Sequence, residues 1–93
     1  MEKKHVDGEK KLNLLLFALS TCIWCKKTKA LLNELKAEYD YIDVDLLEAK
    51  EKDNALEELK RWNPNCTFPS LVIDNKECII GYDEKRIKEI LKS

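Results

Sequence analysis

The sequence predicts a small α/β domain built on a mixed four-stranded sheet, and three observations predict it. The run from Leu12 to Leu19 is almost continuously apolar, as a strand buried on both faces must be. The segment that follows repeats its apolar residues at steps of three and four, the period of a helix with one buried face. Further on, two short apolar stretches flank the polar Asp74-Asn75-Lys76, the pattern of an antiparallel hairpin. The predicted order is β-α-β-α-β-β-α over residues 12–93, after a leader at residues 1–11.

Each element has its own justification. Met1 to Lys11 is polar and aperiodic, which reads as a loosely attached leader. After the first strand, Ser20 and Thr21 supply the side-chain oxygens favoured at a helix start. The first helix is expected over Cys22 to Glu38, with Cys25, Thr28, Leu32 and Leu35 facing inward. Lys26, Lys27, Lys29 and Lys36 point elsewhere. Tyr39 to Leu46 alternates, placing Ile42, Val44 and Leu46 on one side of a half-buried strand. Asp40, Asp43 and Asp45 then read as the solvent side of an edge strand, where charge discourages sheet-to-sheet association.

A second helix over Glu48 to Trp62 buries Ala55, Leu59 and Trp62 and lets Glu57 pair with Arg61. Pro64 stops it, because the residue before a proline is pushed out of the helical region. Ser70–Ile73 and Glu77–Ile80 are the hairpin strands, with Cys78 and Ile80 directed to one face as core residues. Gly81 permits a sharp bend, and Asp83 or Glu84 starts a last helix with Ile87, Ile90 and Leu91 inside. The first strand–helix–strand unit implies a parallel pair with a right-handed crossover, and the hairpin adds an antiparallel edge.

Composition narrows the function. A 93-residue chain with 44% apolar residues fits one domain. Only two glycines and two prolines occur, too few for a long linker or a disordered chain. A net charge of −1 offers no attraction for nucleic acid or an anionic membrane, so neither is an expected partner. The longest apolar run, Leu14 to Leu19, is far short of the roughly 20 residues needed to span a bilayer. No signal-peptide core follows the charged N-terminus, so a cytoplasmic location is expected. In a reducing cytosol, four cysteines point to catalysis or metal binding rather than structural bridges.

Cys22-Ile23-Trp24-Cys25 is the motif that carries chemistry. A C-x-x-C pair where a buried strand meets a helix is a specific signal for a redox-active dithiol. The attacking species in disulfide exchange is a thiolate, and a helix N-terminus stabilises negative charge. Lys26 and Lys27 add positive charge nearby and are candidates for tuning the thiol. Cys25, one turn on and on the inward stripe, is less exposed but close enough to resolve a mixed disulfide. Cys22 is therefore the nucleophile and Cys25 the resolving thiol. Trp24 is an exposed aromatic that either covers the first turn of the helix or docks a partner protein. The alternative reading is an iron–sulfur or zinc module using the same thiols, and a four-cysteine site would require Cys66 and Cys78 to complete it. Cys66 reads as a free thiol, or as an auxiliary thiol exchanging with Cys22. His5, the sole histidine, lies in the leader and is not expected to be catalytic.

Three segments, Thr21-Cys22-Ile23-Trp24-Cys25-Lys26-Lys27, Thr67-Phe68-Pro69 and Gly81-Tyr82-Asp83, resemble the three signature regions of glutaredoxins, in family order and spacing. The resemblance spans Leu12 to Leu91 and implies the small thioredoxin fold, without the extra N-terminal strand and helix of true thioredoxins. It implies a cis Phe68–Pro69 bond facing the dithiol, with the Thr67 and Phe68 backbone turned towards a bound peptide. It also implies that Gly81, Tyr82 and Asp83 occupy the region that holds the γ-glutamyl end of glutathione.

Several positions depart from the family pattern. Ile23 replaces the proline of C-P-[YFW]-C, and Leu19 stands where a carboxylate-gripping lysine is common. Ile80-Gly81 replaces a Gly-Gly pair, and Asp83-Glu84 replaces a Ser/Thr-Asp pair. The expected activity is reduction of protein disulfides by a dithiol electron carrier serving cell redox homeostasis. The expected donor is a thioredoxin-reductase-type system rather than glutathione. A monomer without metal or organic cofactor is expected.

Overall fold

The computed structural model describes residues 3–92. It contains strands β1 (Lys4–Val6), β2 (Leu14–Ala18), β3 (Tyr39–Asp43), β4 (Ser70–Ile73) and β5 (Glu77–Ile80). The helices are α1 (Ile23–Glu34), α2 (Ala49–Lys60) and α3 (Glu84–Lys92). The strands form one five-stranded sheet in the order β1-β3-β2-β4-β5. β2 runs parallel to β3 and antiparallel to β4, and both β1–β3 and β4–β5 are antiparallel.

The central strand organises the core. Leu16, Phe17 and Ala18 of β2 are all 0% exposed, so consecutive residues are covered on opposite faces of the sheet. On one face Leu14, Leu16 and Ala18 pack with Cys25, Leu31 and Leu32 of α1 and with Ile87 and Leu91 of α3. On the other, Phe17, Ile42 and Val72 pack with Ala55 and Leu59 of α2. Each large buried side chain contributes roughly 1.5–3 kcal/mol relative to exposure. The result is a three-layer arrangement that sends the C-terminal end of β2 directly into the start of α1.

The structure corrects several expectations. The sheet has five strands rather than four, because Lys4–Val6 of the supposed leader pairs with β3 in the register Lys4↔Tyr41, His5↔Asp40 and Val6↔Tyr39. This strand is three residues long and largely exposed, so it carries no hydrophobic alternation by which to recognise it. Polar contacts hold it instead. His5 Nδ1 lies 2.6 Å from Asp40 Oδ1, and Glu9 and Lys36–Glu38 exchange backbone hydrogen bonds of 2.7 and 3.0 Å. Gly8 lies so close to the chain that a Cβ there would meet the Ala37 carbonyl at 2.8 Å.

β3 is consequently interior, and its acids have partners. Asp40 faces His5, Asp43 receives Lys29 Nζ at 2.9 Å, and Asp45 accepts the Ser20 N–H at 2.8 Å. The Asp45 contact draws the chain out of extended geometry, so β3 ends at Asp43 and Val44–Leu46 forms a 3₁₀ turn. Leu46 therefore lies outside the core, 68% exposed. Helix α1 stops at Glu34, short of the expected Glu38. Lys36 takes a positive φ of 57°, and the Ala37 and Lys36 N–H groups close back on the Leu32 and Asn33 carbonyls, a Schellman end without glycine. Arg61 pairs with Glu58 at 3.1 Å rather than with Glu57. In β5 the inward residue is Ile79. Ile80 is 54% exposed and Cys78 only partly covered, because β5 is the sheet edge and α3 packs over one face.

Two measurements check this architecture. Leu32→Ala, which empties a fully buried site, should lower the unfolding free energy by about 2–5 kcal/mol in urea titration. Gly8→Ala should speed amide hydrogen exchange at Glu9, Glu38 and the β1–β3 ladder while leaving β2–β4 protected. Uniform loss of protection across the sheet would contradict β1 as a separately docked edge.

Candidate active site

Residues Leu19 to Lys26 turn the end of β2 into the start of α1. The Cys22 N–H donates to the Leu19 carbonyl at 3.2 Å, closing the turn, and the Cys22 carbonyl accepts from Lys26 N–H at 3.0 Å, opening the helix. Cys22 is the N-cap, with extended backbone angles of φ −82° and ψ 119°. Its sulfur occupies the place of a capping oxygen and accepts the Cys25 N–H at 3.2 Å. One helix-terminal donor thus points at the Cys22 sulfur. No acidic residue sits in the first turn of α1 to oppose that charge.

The two thiols differ sharply in environment. Cys22 is half-buried, whereas Cys25 is 0% exposed inside the α1–α3 core. Burial pushes the Cys25 thiol up to about 12, helped by its interaction with Cys22, while Lys29 pulls weakly the other way. Cys25 is thus held as a neutral thiol beneath an accessible Cys22.

The sequence-predicted residues converge on this point from three segments. The Phe68–Pro69 peptide bond is cis, Pro69 is buried, and Phe68 and Cys22 pack against the same core cluster. The Pro69 carbonyl accepts the Gly81 N–H at 2.8 Å, joining the second and third segments. Gly81 has a φ of 83°, a conformation that favours glycine. Trp24 stacks on Tyr82 with ring centroids 5.9 Å apart and planes 30° apart. Trp24, Phe68, Pro69, Gly81 and Tyr82 line an open depression of about 270 Å³.

The glutaredoxin family model matches residues 14–79, which include the dithiol and the cis-proline loop. The chain belongs to the glutaredoxin family. Members of this family are thiol–disulfide oxidoreductases. The chain is 32% identical over 62 residues to glutaredoxin 1 of Rickettsia prowazekii, a match covering 67% of this chain and 62% of that protein. It therefore spans about three-fifths of the length of that relative. Solved structures extend the likeness over nearly the whole chain. Methanoredoxin from Methanosarcina acetivorans is 42% identical with a TM-score of 0.92, covering 100% of this chain and 97% of its own. The glutaredoxin from Methanosarcina mazei is 44% identical with a TM-score of 0.89, covering 98% of this chain and 88% of its own.

Not every candidate residue of this glutaredoxin faces the groove. Lys26 is exposed, and Lys27 places its Nζ 4.6 Å over the Trp24 ring. The lysine acting on Cys25 is Lys29, one helical turn further along, which also binds Asp43. Asp83 accepts the Arg86 N–H at 3.1 Å and so serves as a cap for α3. Cys66 directs its sulfur at the Leu56 carbonyl of α2, 3.9 Å away. Cys66 and Cys78 both pack with the α2 cluster, on the sheet face opposite Cys25, so the four thiols are not gathered at one point.

Among the described residues, a group of three possible metal donors occurs at His5, Asp7 and Glu38, whose ligand atoms lie within 4.8 Å of one another. The hydrogen bond to Asp40 holds the His5 pKa above its usual value. This group sits at the N-terminal end of β3, whereas the dithiol follows the C-terminal end of the parallel β2. Sequence reasoning missed Asn63, a 2%-exposed amide behind the cis-proline loop, and its partner Ser70. The Asn63-Pro64 dipeptide marked the end of α2 but gave no sign of a buried side chain.

The asymmetry of the thiols is measurable. At about pH 9, limited iodoacetamide treatment of the reduced protein should label the accessible Cys22 and spare Cys25, since a thiol raised to about 12 stays protonated there. Peptide mass mapping reads the result, and equal labelling of both would contradict the assigned order.

Proposed function

We propose that this protein is a dithiol oxidoreductase that reduces disulfides in protein substrates, with Cys22 attacking and Cys25 resolving. The observation that carries this reading is the pairing of an accessible capping sulfur with a fully buried thiol one turn behind it, on the same turn as Trp24, which lines the depression. In the first step the Cys22 thiolate attacks one substrate sulfur and breaks the substrate S–S bond. The other substrate sulfur leaves as a thiolate. In the second step Cys25 gives up its proton to the leaving thiolate and attacks the Cys22 sulfur. The second substrate sulfur is released as a thiolate, which takes a proton from solvent, and the Cys22–Cys25 disulfide forms. A reductase returns two electrons and two protons.

The groove supports a peptide-like substrate. Among the described residues, the Phe68 amide and carbonyl have no backbone hydrogen-bond partner, which leaves one donor and one acceptor for an added extended strand. The Trp24–Tyr82 stack supplies an apolar wall beside them. Lys26 and Lys27 add positive field on the same turn as the dithiol.

The electron donor of this reading is a thioredoxin-reductase-type system, with glutathione as the competing donor. Leu19 offers no cation, Lys27 is engaged on Trp24, and Asp83 and Glu84 bring negative charge to the groove end. An anionic tripeptide meets little attraction at that end of the groove. The protein is proposed to act in the cytoplasm as a monomer without metal. The placement of Cys66 and Cys78 behind the sheet supports thiol exchange over a four-cysteine metal centre.

Two variants and one comparison test the proposal. Cys22→Ser should abolish insulin reduction. Cys25→Ser should retain the first step and accumulate a mixed disulfide visible by mass spectrometry. Turnover should be faster with NADPH and thioredoxin reductase than with glutathione and glutathione reductase. Rapid turnover with glutathione alone would overturn the donor assignment and leave the dithiol mechanism standing.

A further inference from the structure

Behind the groove, Asn63 forms the centre of a buried polar network. Its Nδ2 donates to Thr67 Oγ1 at 2.8 Å, Ser70 Oγ at 3.1 Å and the Thr67 carbonyl at 3.3 Å. Its Oδ1 accepts the Asn65 N–H at 3.2 Å, and its backbone carbonyl accepts the Cys66 N–H at 2.9 Å. Those partners fix the orientation of the amide, because a flipped group would set Oδ1 against the Thr67 carbonyl. The Asn63 N–H in turn donates to the Leu59 carbonyl at 2.8 Å, tying the network to the end of α2.

The consequence falls on Thr67 to Pro69. The Thr67 carbonyl receives two donors, Asn63 Nδ2 and Ser70 Oγ at 2.8 Å, and is drawn inward. The Pro69 carbonyl is taken by Gly81. Between two occupied carbonyls lies Phe68, whose own amide and carbonyl are the unpaired edge of the groove. We propose that Asn63, supported by Ser70, is a positioning residue that presents the Phe68 backbone to the substrate chain. The proposal rests on the oxidoreductase reading above. A buried amide with several partners is costly to disrupt, so the loop is held in a single arrangement before substrate arrives.

The test separates docking from thiol chemistry. Pre-reduced full-length protein is mixed with a quenched disulfide-linked peptide, and its single-turnover rate is followed against peptide concentration. The same protein is assayed with 5,5′-dithiobis(2-nitrobenzoate), a small disulfide with no peptide chain to dock. Asn63→Leu should raise the half-saturating peptide concentration roughly five- to tenfold. The limiting rate and the reaction with the small disulfide should stay within about twofold of the parent.

Ser70→Ala, which keeps the Asn63 amide, should show the same pattern at about two- to threefold, and it carries the test if Asn63→Leu does not fold. Unchanged half-saturation in a folded variant would overturn the proposal. A parallel loss with both substrates would also overturn it, since it would make the network merely structural. Failure of the parent protein to reduce either substrate would instead sink the oxidoreductase reading, and this inference with it.

Discussion

The burial of β2 on both faces is the constraint on which the rest of the molecule depends. Leu16 and Ala18 seal one side and Phe17 the other, so the strand cannot shift register by one residue without exchanging its two cores. Its parallel neighbour β3 and antiparallel neighbour β4 inherit their registers from it. Because β2 is fixed, the point at which the chain leaves the sheet is fixed, and Cys22 sits four residues beyond it. The cis-proline loop immediately precedes β4, the other neighbour of the same strand. Both walls of the groove are thus indexed to one buried element.

Chemical asymmetry follows from that placement. Cys22 and Cys25 are separated by one helical turn, but that turn crosses the boundary between groove and core. The capping position leaves the first sulfur accessible and aims a backbone donor at it. The inward face gives the second sulfur an apolar environment that opposes ionisation. The proposed order of attack calls for no additional catalytic base, because the leaving substrate thiolate is itself a suitable proton acceptor.

Much of this was legible in the sequence, for identifiable reasons. Strong periodicity and turn chemistry disclosed β2, α2 and the β4–β5 hairpin. The Asp74-Asn75 turn, whose residues take φ of 52° and 54°, is of the kind those side chains tolerate. The placement of Cys22 and Cys25 was legible because their spacing coincides with a strand–helix junction. Elements held by polar contacts were not legible. β1 depends on His5, Asp40 and a close approach at Gly8. The end of α1 depends on a lysine, not a glycine, in the left-handed region. Asn63 hides among loop residues because its side-chain partners are two to seven positions away and only the fold points them inward. Periodicity reports apolar burial, and such contacts leave no trace in it.

The depth of Cys25 has a consequence for survival under oxidative stress. With Cys22 as the proposed nucleophile, an oxidant such as hydrogen peroxide would meet it first and convert it to a sulfenic acid, while the neutral, enclosed Cys25 thiol stays unreacted. One turn away, Cys25 can then condense with that sulfenic acid, expelling water and forming the intramolecular disulfide. The damaged form becomes the ordinary oxidised form, which a reductase can restore. The same burial that underlies the proposed order of attack would thus divert Cys22 from the irreversible sulfinic and sulfonic acids.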